Sequence, residues 1–204
     1  MKNQLESHLL VIAKILLHAN SSFEVVKYFQ SENENDAPIV KYEKVMNKFF
    51  HFTAVNFYRI TIIELCKLYN HKEVFSLQKL LSEFENNKSY YGLLDHSEIK
   101  NLRKHLKENR LITEELITLR NSHYAHQDGD YLNYLSLSTS KVNQLLNVAK
   151  VIFNSIYGRV LEKSYNFDFP LGTPMDDLDF IMTRLKFYDE QYRIMEKEIN
   201  DFIK

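Results

Sequence analysis

The stretch Arg120-Asn121-Ser122-His123-Tyr124-Ala125-His126-Gln127-Asp128 gathers the side chains of this chain best suited to chemistry on a phosphate. Arginine presents a planar fork of donors that matches phosphate oxygens. Histidine titrates near neutrality and can take or give a proton. Arg120 and His123 are three residues apart, as are His123 and His126, and such neighbours touch on a helix surface. Arg120 and His126 are six apart, near 120° around an α-helix, so both can converge on a pocket beside the helix end. Such a set can cleave RNA without a metal. One group helps remove the 2′-hydroxyl proton, and the other stabilises charge on the phosphate.

Projection sharpens the point. With Leu116 at zero and about 100° per residue, Ile112 and Leu119 fall at roughly −40° and −60° and Ile117 at about 100°, which defines an apolar arc. Arg120 falls at about 40°, His123 near −20° and Tyr124 near 80°, all inside that arc, with His126 at its edge near −80°. Asn121 turns away from it. An arginine on a core face needs an anion, because a lone buried guanidinium is costly. That anion is an internal carboxylate such as Glu64, a set of carbonyls, or a phosphate from outside.

Plainer readings stand beside each of these. His123 fits an interior or seam histidine better than a catalyst. His123, His126 and Asp128 are metal-ligand types, but no Cys cage or His-Glu-x-x-His pattern supports a metal, so none is expected. The basic run Lys100, Arg103, Lys104, Lys107 and Arg110 reads equally as a guide for an RNA backbone or as a solvated helix face. Tyr131 and Tyr134 offer stacking surfaces, although the many Tyr and Phe residues are expected chiefly to fill the core. The lone Cys66 excludes an internal disulfide, and its apolar setting predicts a buried, inert thiol.

The elements that must hold the cluster are helical. Leu5, Leu9, Ile12 and Leu16 recur at helical spacing, which predicts a first helix over 3–29. A polar loop follows over 31–38. A long second helix is predicted over 39–69, with Val45, Phe49 and Phe52 as its stripe. Ser76 caps a third short helix, and Asp95 or Ser97 starts a fourth. Asn109 marks a break, and a fifth helix spans 113–126, stopped by Gly129. Residues 131–137 read as a loop or short extended piece. Ser138-Thr139-Ser140 caps a sixth helix, about 141–163. Asp176 and Asp177 favour the start of a seventh, reaching about Phe202. Its stripe of Leu178, Ile181, Leu185 and Tyr188 suits ordinary packing.

Bulk composition agrees with one all-α domain over residues 1–204. Apolar residues make up 45% and charged residues 26% of 204, ordinary values for a folded domain. Only 4 Gly and 3 Pro occur, too few for the many turns of a compact β fold. A net charge of −1 provides no global field toward nucleic acid or an anionic membrane. Lys14 interrupts the apolar N-terminal run, no uncharged stretch reaches the ~18 residues of a membrane span, and no clear cleavage site follows. A cytoplasmic protein without membrane attachment is expected.

The string Arg120 to His126 fits the R-x(4–6)-H motif of the HEPN superfamily of helical proteins. The fuller pattern R-N-x-x-x-A-H-x-D, matched by Arg120, Asn121, Ala125, His126 and Asp128, resembles the abortive-infection branch of that superfamily. The layout of a long helix, an Asn-His loop and a short helix opened by Ser76-Leu77 is similar too. The resemblance covers roughly residues 40–165. It implies a HEPN-like helical bundle, here with additional N- and C-terminal helices, that forms a homodimer with the two motifs facing across the seam. It also implies a metal-independent, cofactor-free endoribonuclease acting in bacterial phage defence or as a toxin, with RNA as substrate. Carried over, Arg120 binds or polarises the phosphate, His126 is the acid/base, and Asn121 orients the pair. His123, Tyr124 and Asp128 support them, Asp128 by fixing the His126 tautomer. Ser122 stands where many relatives carry a basic residue. Gln127-Asp128 replaces the H-x-Y ending of toxins controlled by tyrosine nucleotidylation. The alternative is a non-catalytic HEPN module that binds a nucleotide or a partner, such as an antitoxin or a nucleotidyltransferase.

Overall fold

A computed structural model describes residues 2–29, 39–87, 90, 92–125, 137–167 and 174–203. Its helices are α1 (Lys2–Phe29), α2 (Ile39–Tyr69), α3 (Leu77–Asn86), α4 (His96–Glu108), α5 (Arg110–Leu119), α6 (Thr139–Leu161) and α7 (Pro174–Ile203). A π-helical segment, Arg120–Ala125, continues α5.

α1 is the centre of the bundle. Leu9, Ile12, Leu16, Ala19 and Phe23 on it are fully buried, and it packs most extensively on α2 and then on α6. By composition alone, Leu5–Phe29 is long and apolar enough to cross a membrane, with mean hydropathy 1.5, yet 61% of that window is buried inside the protein. Its apolar surface is spent on the core formed with Ile62 and Leu65 of α2, Leu80 and Phe84 of α3, and Leu146 and Phe153 of α6. A second, smaller core joins Val25 and Phe29 of α1, Phe50 of α2 and Met182 of α7.

Side-chain caps set the helix starts. Ser76 accepts the Lys79 amide at 3.4 Å, and Ser138 accepts the Lys141 amide at 3.3 Å. Asp95 forms a reciprocal box with Glu98, accepting its amide at 2.8 Å while its own amide donates to the Glu98 carboxylate at 2.9 Å. The Ser97 hydroxyl, and then the Glu98 amide, hold the Asp95 carboxyl below its usual range. Each of these helices gains orphan-donor satisfaction that would otherwise fall to water.

The boundaries of α1 to α4 follow the sequence reading within a residue or two, while α5, α6 and α7 are displaced, α7 beginning at Pro174 and α6 ending at Leu161. α6 begins at Thr139, two residues before Lys141, because the first residue of the serine-rich trio is the cap. α5 begins at Arg110 rather than Thr113. Asn109 breaks the rod over one residue only, and the Thr113 amide still donates to the Asn109 carbonyl at 3.0 Å. The Asn109 side chain donates to the His105 carbonyl at 2.9 Å and accepts from Gln144 of α6 at 2.8 Å. Lys141 Nζ on α6 donates to Glu115 on α5 at 2.6 Å. The Tyr69 hydroxyl donates to the Leu145 carbonyl at 2.6 Å and ties the end of α2 to α6.

Two stripes differ from expectation. On α2, Phe49 and Phe52 are exposed, and it is Phe50 that enters the core. On α7, Leu178 and Leu185 pack on the smaller core around Met182, while Ile181 and Tyr188 are exposed. Helix periodicity shows that a face is apolar; which neighbour covers it is a tertiary property. The loop predicted over 31–38 and the turn at Gly129 lie outside the described residues.

Candidate functional site

Arg120 stands where α5 changes its winding. Leu116 and Leu119, one turn and one residue earlier, are buried, and Ile112 and Ile117 are partly buried. The apolar arc inferred from the sequence therefore faces the core, and Arg120 follows it at intermediate exposure. From Arg120 to Ala125 the backbone is π-helical. A π-helix bonds i to i+5 and is rare outside short segments, which cluster at functional sites. Arg120 is still in the right-handed helical region and its amide still reaches the Leu116 carbonyl, so the 100° projection holds through Arg120 and not beyond it. Angular positions derived for His123 and Tyr124 from ideal α geometry do not carry over.

Among the described residues the guanidinium has one hydrogen-bond partner. Arg120 Nη1 donates to Asn121 Oδ1 at 3.0 Å. Asn121 is exposed, in line with its projected direction, and its carbonyl swings back to hold the neighbouring arginine. Glu64, the internal carboxylate that offered a structural explanation of Arg120, meets Lys67 Nζ at 2.5 Å instead. Among the described residues no carboxylate lies at ion-pair distance from Arg120.

Below the site the π segment packs against α2 and α5. Cys66 of α2 is 3% exposed, and its thiol donates to the Leu116 carbonyl at 3.5 Å. Burial pushes that thiol up to about 12, with the positive charge of Arg120 pulling weakly the other way. The thiol is thus protonated and unreactive at neutral pH. Its closeness to Arg120 depends on the α2–α5 crossing, which residue spacing does not reveal.

The structure brings together Arg120, Asn121 and, beneath them, Cys66. The backbones of His123 and Tyr124 belong to the π segment, and their side chains lie outside the described residues. His126 and Asp128, with Tyr131 and Tyr134, lie outside them altogether. Among the described residues no cluster of three metal-ligating side chains occurs.

The basic run is less available than its composition implies. Arg103 is engaged twice by Glu85, at 2.7 and 2.5 Å, and once by Ser82 at 3.0 Å. The Arg103 hydrogen bond in turn holds the Glu85 carboxyl below its ordinary range. Lys104 pairs with Glu108 at 3.7 Å and Arg110 with Glu114 at 3.5 Å, both exposed i,i+4 pairs that contribute little to stability. Lys100 and Lys107 are exposed. The 20 residues from Lys100 to Arg120 amount to about 30 Å along the two helices at ~1.5 Å per residue.

The family model described as HEPN_AbiU2, AbiU2, matches residues 2–179. The match reaches well past 40–165 on both sides, taking in the whole of α1 and the first six residues of α7. No curated protein and no solved structure matches the chain.

Proposed function

The chain belongs to the AbiU2 family of HEPN-type abortive-infection domains, and from that membership we propose that it is a metal-independent endoribonuclease acting in abortive infection or as a toxin. The observation that carries the reading is Arg120. It follows a buried apolar arc, is steadied by Asn121 at 3.0 Å, and has no carboxylate at ion-pair distance among the described residues. A phosphodiester is an anion that fits such a group.

The chemistry is a transesterification. The 2′-oxygen attacks the adjacent phosphorus, and the bond from phosphorus to the 5′-oxygen breaks. His126 exchanges protons as general acid/base, one leaving the 2′-hydroxyl and one arriving at the departing 5′-oxygen. Arg120 stabilises the charge on the phosphoryl oxygens, worth most where water is excluded. Asn121 positions Arg120, and Asp128 fixes the His126 tautomer. The products are a 2′,3′-cyclic phosphate and a 5′-hydroxyl. A homodimer with facing motifs is part of the proposal, and exposed Lys100, Lys104, Lys107 and Arg110 are the members of the basic run open to RNA, Arg103 being held by Glu85.

The test is incubation of RNA with the wild type and with His126→Ala in the presence of a chelator. The wild type is expected to cleave, and His126→Ala to lose about 10²–10⁴-fold in rate. Equal cleavage by both removes the catalytic claim. One observation favours the non-catalytic alternative, a nucleotide- or partner-binding module: Arg103, Lys104 and Arg110 are each met by a carboxylate. Nucleotide binding without RNA cleavage would select it.

A further inference from the structure

The second half of α7 leaves the bundle. Every side chain from Glu190 to Phe202 is exposed, and these residues lie beyond the family match, which ends at Asp179. Exposed helix of this kind is not a neutral surface. Tyr188 is 65% exposed, Tyr192 74%, Met195 57%, Ile199 59% and Phe202 94%. These five sit at spacings of 4, 3, 4 and 3. Extended backward, the same frame reaches Leu185 and Leu178, which the bundle covers, so the free seam begins at Tyr188. A strict 3.5-residue repeat keeps one seam in line only if the helix supercoils around another, because a straight α-helix drifts about 20° per heptad. Phe187 leans edge-on against Tyr188, with centroids 6.0 Å apart, and broadens the stripe.

We propose that the C-terminal half of α7 pairs with the same segment of a second copy of this chain as a parallel two-stranded coiled coil. The charges flanking the seam select both the occupant and its direction. In a parallel pair, each Arg184, exposed at the edge of the bundle just before the free seam, faces Asp189 of the second copy, and each Gln191 faces Glu196. The first contact is attractive, occurs twice, and no like-charge pair arises among these flanks. The antiparallel registers that mate the exposed stripe oppose Asp189 or Glu196 to a carboxylate of the other copy. Asp189 also meets Arg193 of its own helix at 3.5 Å, an exposed i,i+4 contact that leaves the seam geometry unchanged. An isolated helix of this length is marginal in water, and pairing supplies the apolar cover that the bundle does not. The inference does not rest on the nuclease reading, whose homodimer would join at the motifs and would survive substitutions on α7.

The test uses the full chain. Sedimentation equilibrium compares the wild type with a Tyr192→Glu/Ile199→Glu double variant, both positions being exposed and so outside the folded core. The wild type is expected to self-associate at tens of micromolar or below, and the variant to associate on the order of 100-fold more weakly after losing two apolar seam layers. An unchanged melting temperature of the bundle confirms that the variant is folded. Ile199→Cys is expected to give a disulfide-linked dimer on mild oxidation, with wild type and its buried Cys66 as the uncrosslinked control. A monomeric wild type, an unchanged association constant in the double variant, or no crosslink through position 199 would each overturn the proposal.

Discussion

The rod formed by α4, α5 and the π segment is interrupted twice by polar residues, at Asn109 and at Arg120, and the two interruptions are built in opposite ways. Asn109 is 5% exposed and fully employed. Its amide nitrogen is bonded to the His105 carbonyl, its amide oxygen to Gln144, and its backbone carbonyl to the Thr113 amide. That is how a fold retains a buried polar group for architecture, since each unmet partner would cost about 1–3 kcal/mol. Arg120 carries a full charge, yet its recorded partner is the amide of its exposed neighbour Asn121. The first site is closed upon itself; at the second, among the described residues, no carboxylate meets the guanidinium. A polar residue in a core pattern is therefore not by itself a functional signal. What separates the two is whether the fold uses up its hydrogen-bonding capacity.

That contrast can be broken by experiment. The largest effect is expected from Arg120→Ala, which should lower RNA cleavage by about 10²–10³-fold, the range for removing one preorganised charge-stabilising donor. The melting temperature should shift little. A large loss of stability with cleavage retained would make Arg120 a structural residue like Asn109. Asn109→Ala should do the reverse. Chemical denaturation is expected to show about 1–3 kcal/mol lost from the side-chain bonds and the orphaned Gln144, with cleavage per folded molecule nearly unchanged. Asn121→Ala should be milder on both axes, because Asn121 is exposed: stability within about 0.5 kcal/mol and a smaller rate loss than Arg120→Ala. An Asn121→Ala variant as inactive as Arg120→Ala would mean that Asn121 touches the substrate.

Cys66 sharpens the picture from below. Burial raises its folded pKa to about 12 from the ordinary 9.0, so the neutral thiol is favoured by folding. The sign follows: this contribution is complete below pH 9 and is lost as pH rises through the folded value. Stability should fall from about pH 9 upward, and a Cys66→Ser variant should show a flatter alkaline limb in thermal melts. Alkylation of the native protein at pH 8 should be slow; rapid labelling would place solvent at the underside of Arg120.

Much of the frame was legible in the residues. Apolar periodicity located α1 and α2, and Ser76, Asp95 and Ser138 marked helix starts because a capping side chain acts within three residues of itself. That Arg120 directly follows a buried apolar arc was legible for the same local reason, since four residues separate it from Leu116, which is buried; its intermediate exposure was not. What local pattern could not supply was any feature that depends on a neighbour. The π winding that begins at Arg120 forms where the segment meets α2. The nearness of Cys66 depends on a helix crossing. Phe49 and Phe52 carry the same apolar signal as Phe50, yet only Phe50 finds a cover. The α7 stripe of Leu178, Ile181, Leu185 and Tyr188 was visible as a pattern, but not that the bundle covers Leu178 and Leu185 and leaves Ile181 and Tyr188 exposed.

The central claim is that Arg120 and His126 run a metal-free transesterification. End-group analysis of RNA cut in the presence of a chelator, with wild type and His126→Ala side by side, tests it most directly. The account predicts fragments ending in a 2′,3′-cyclic phosphate and a 5′-hydroxyl from the wild type, and almost none from the variant. Fragments ending in a 3′-hydroxyl and a 5′-phosphate, or equal yields from both proteins, would contradict it.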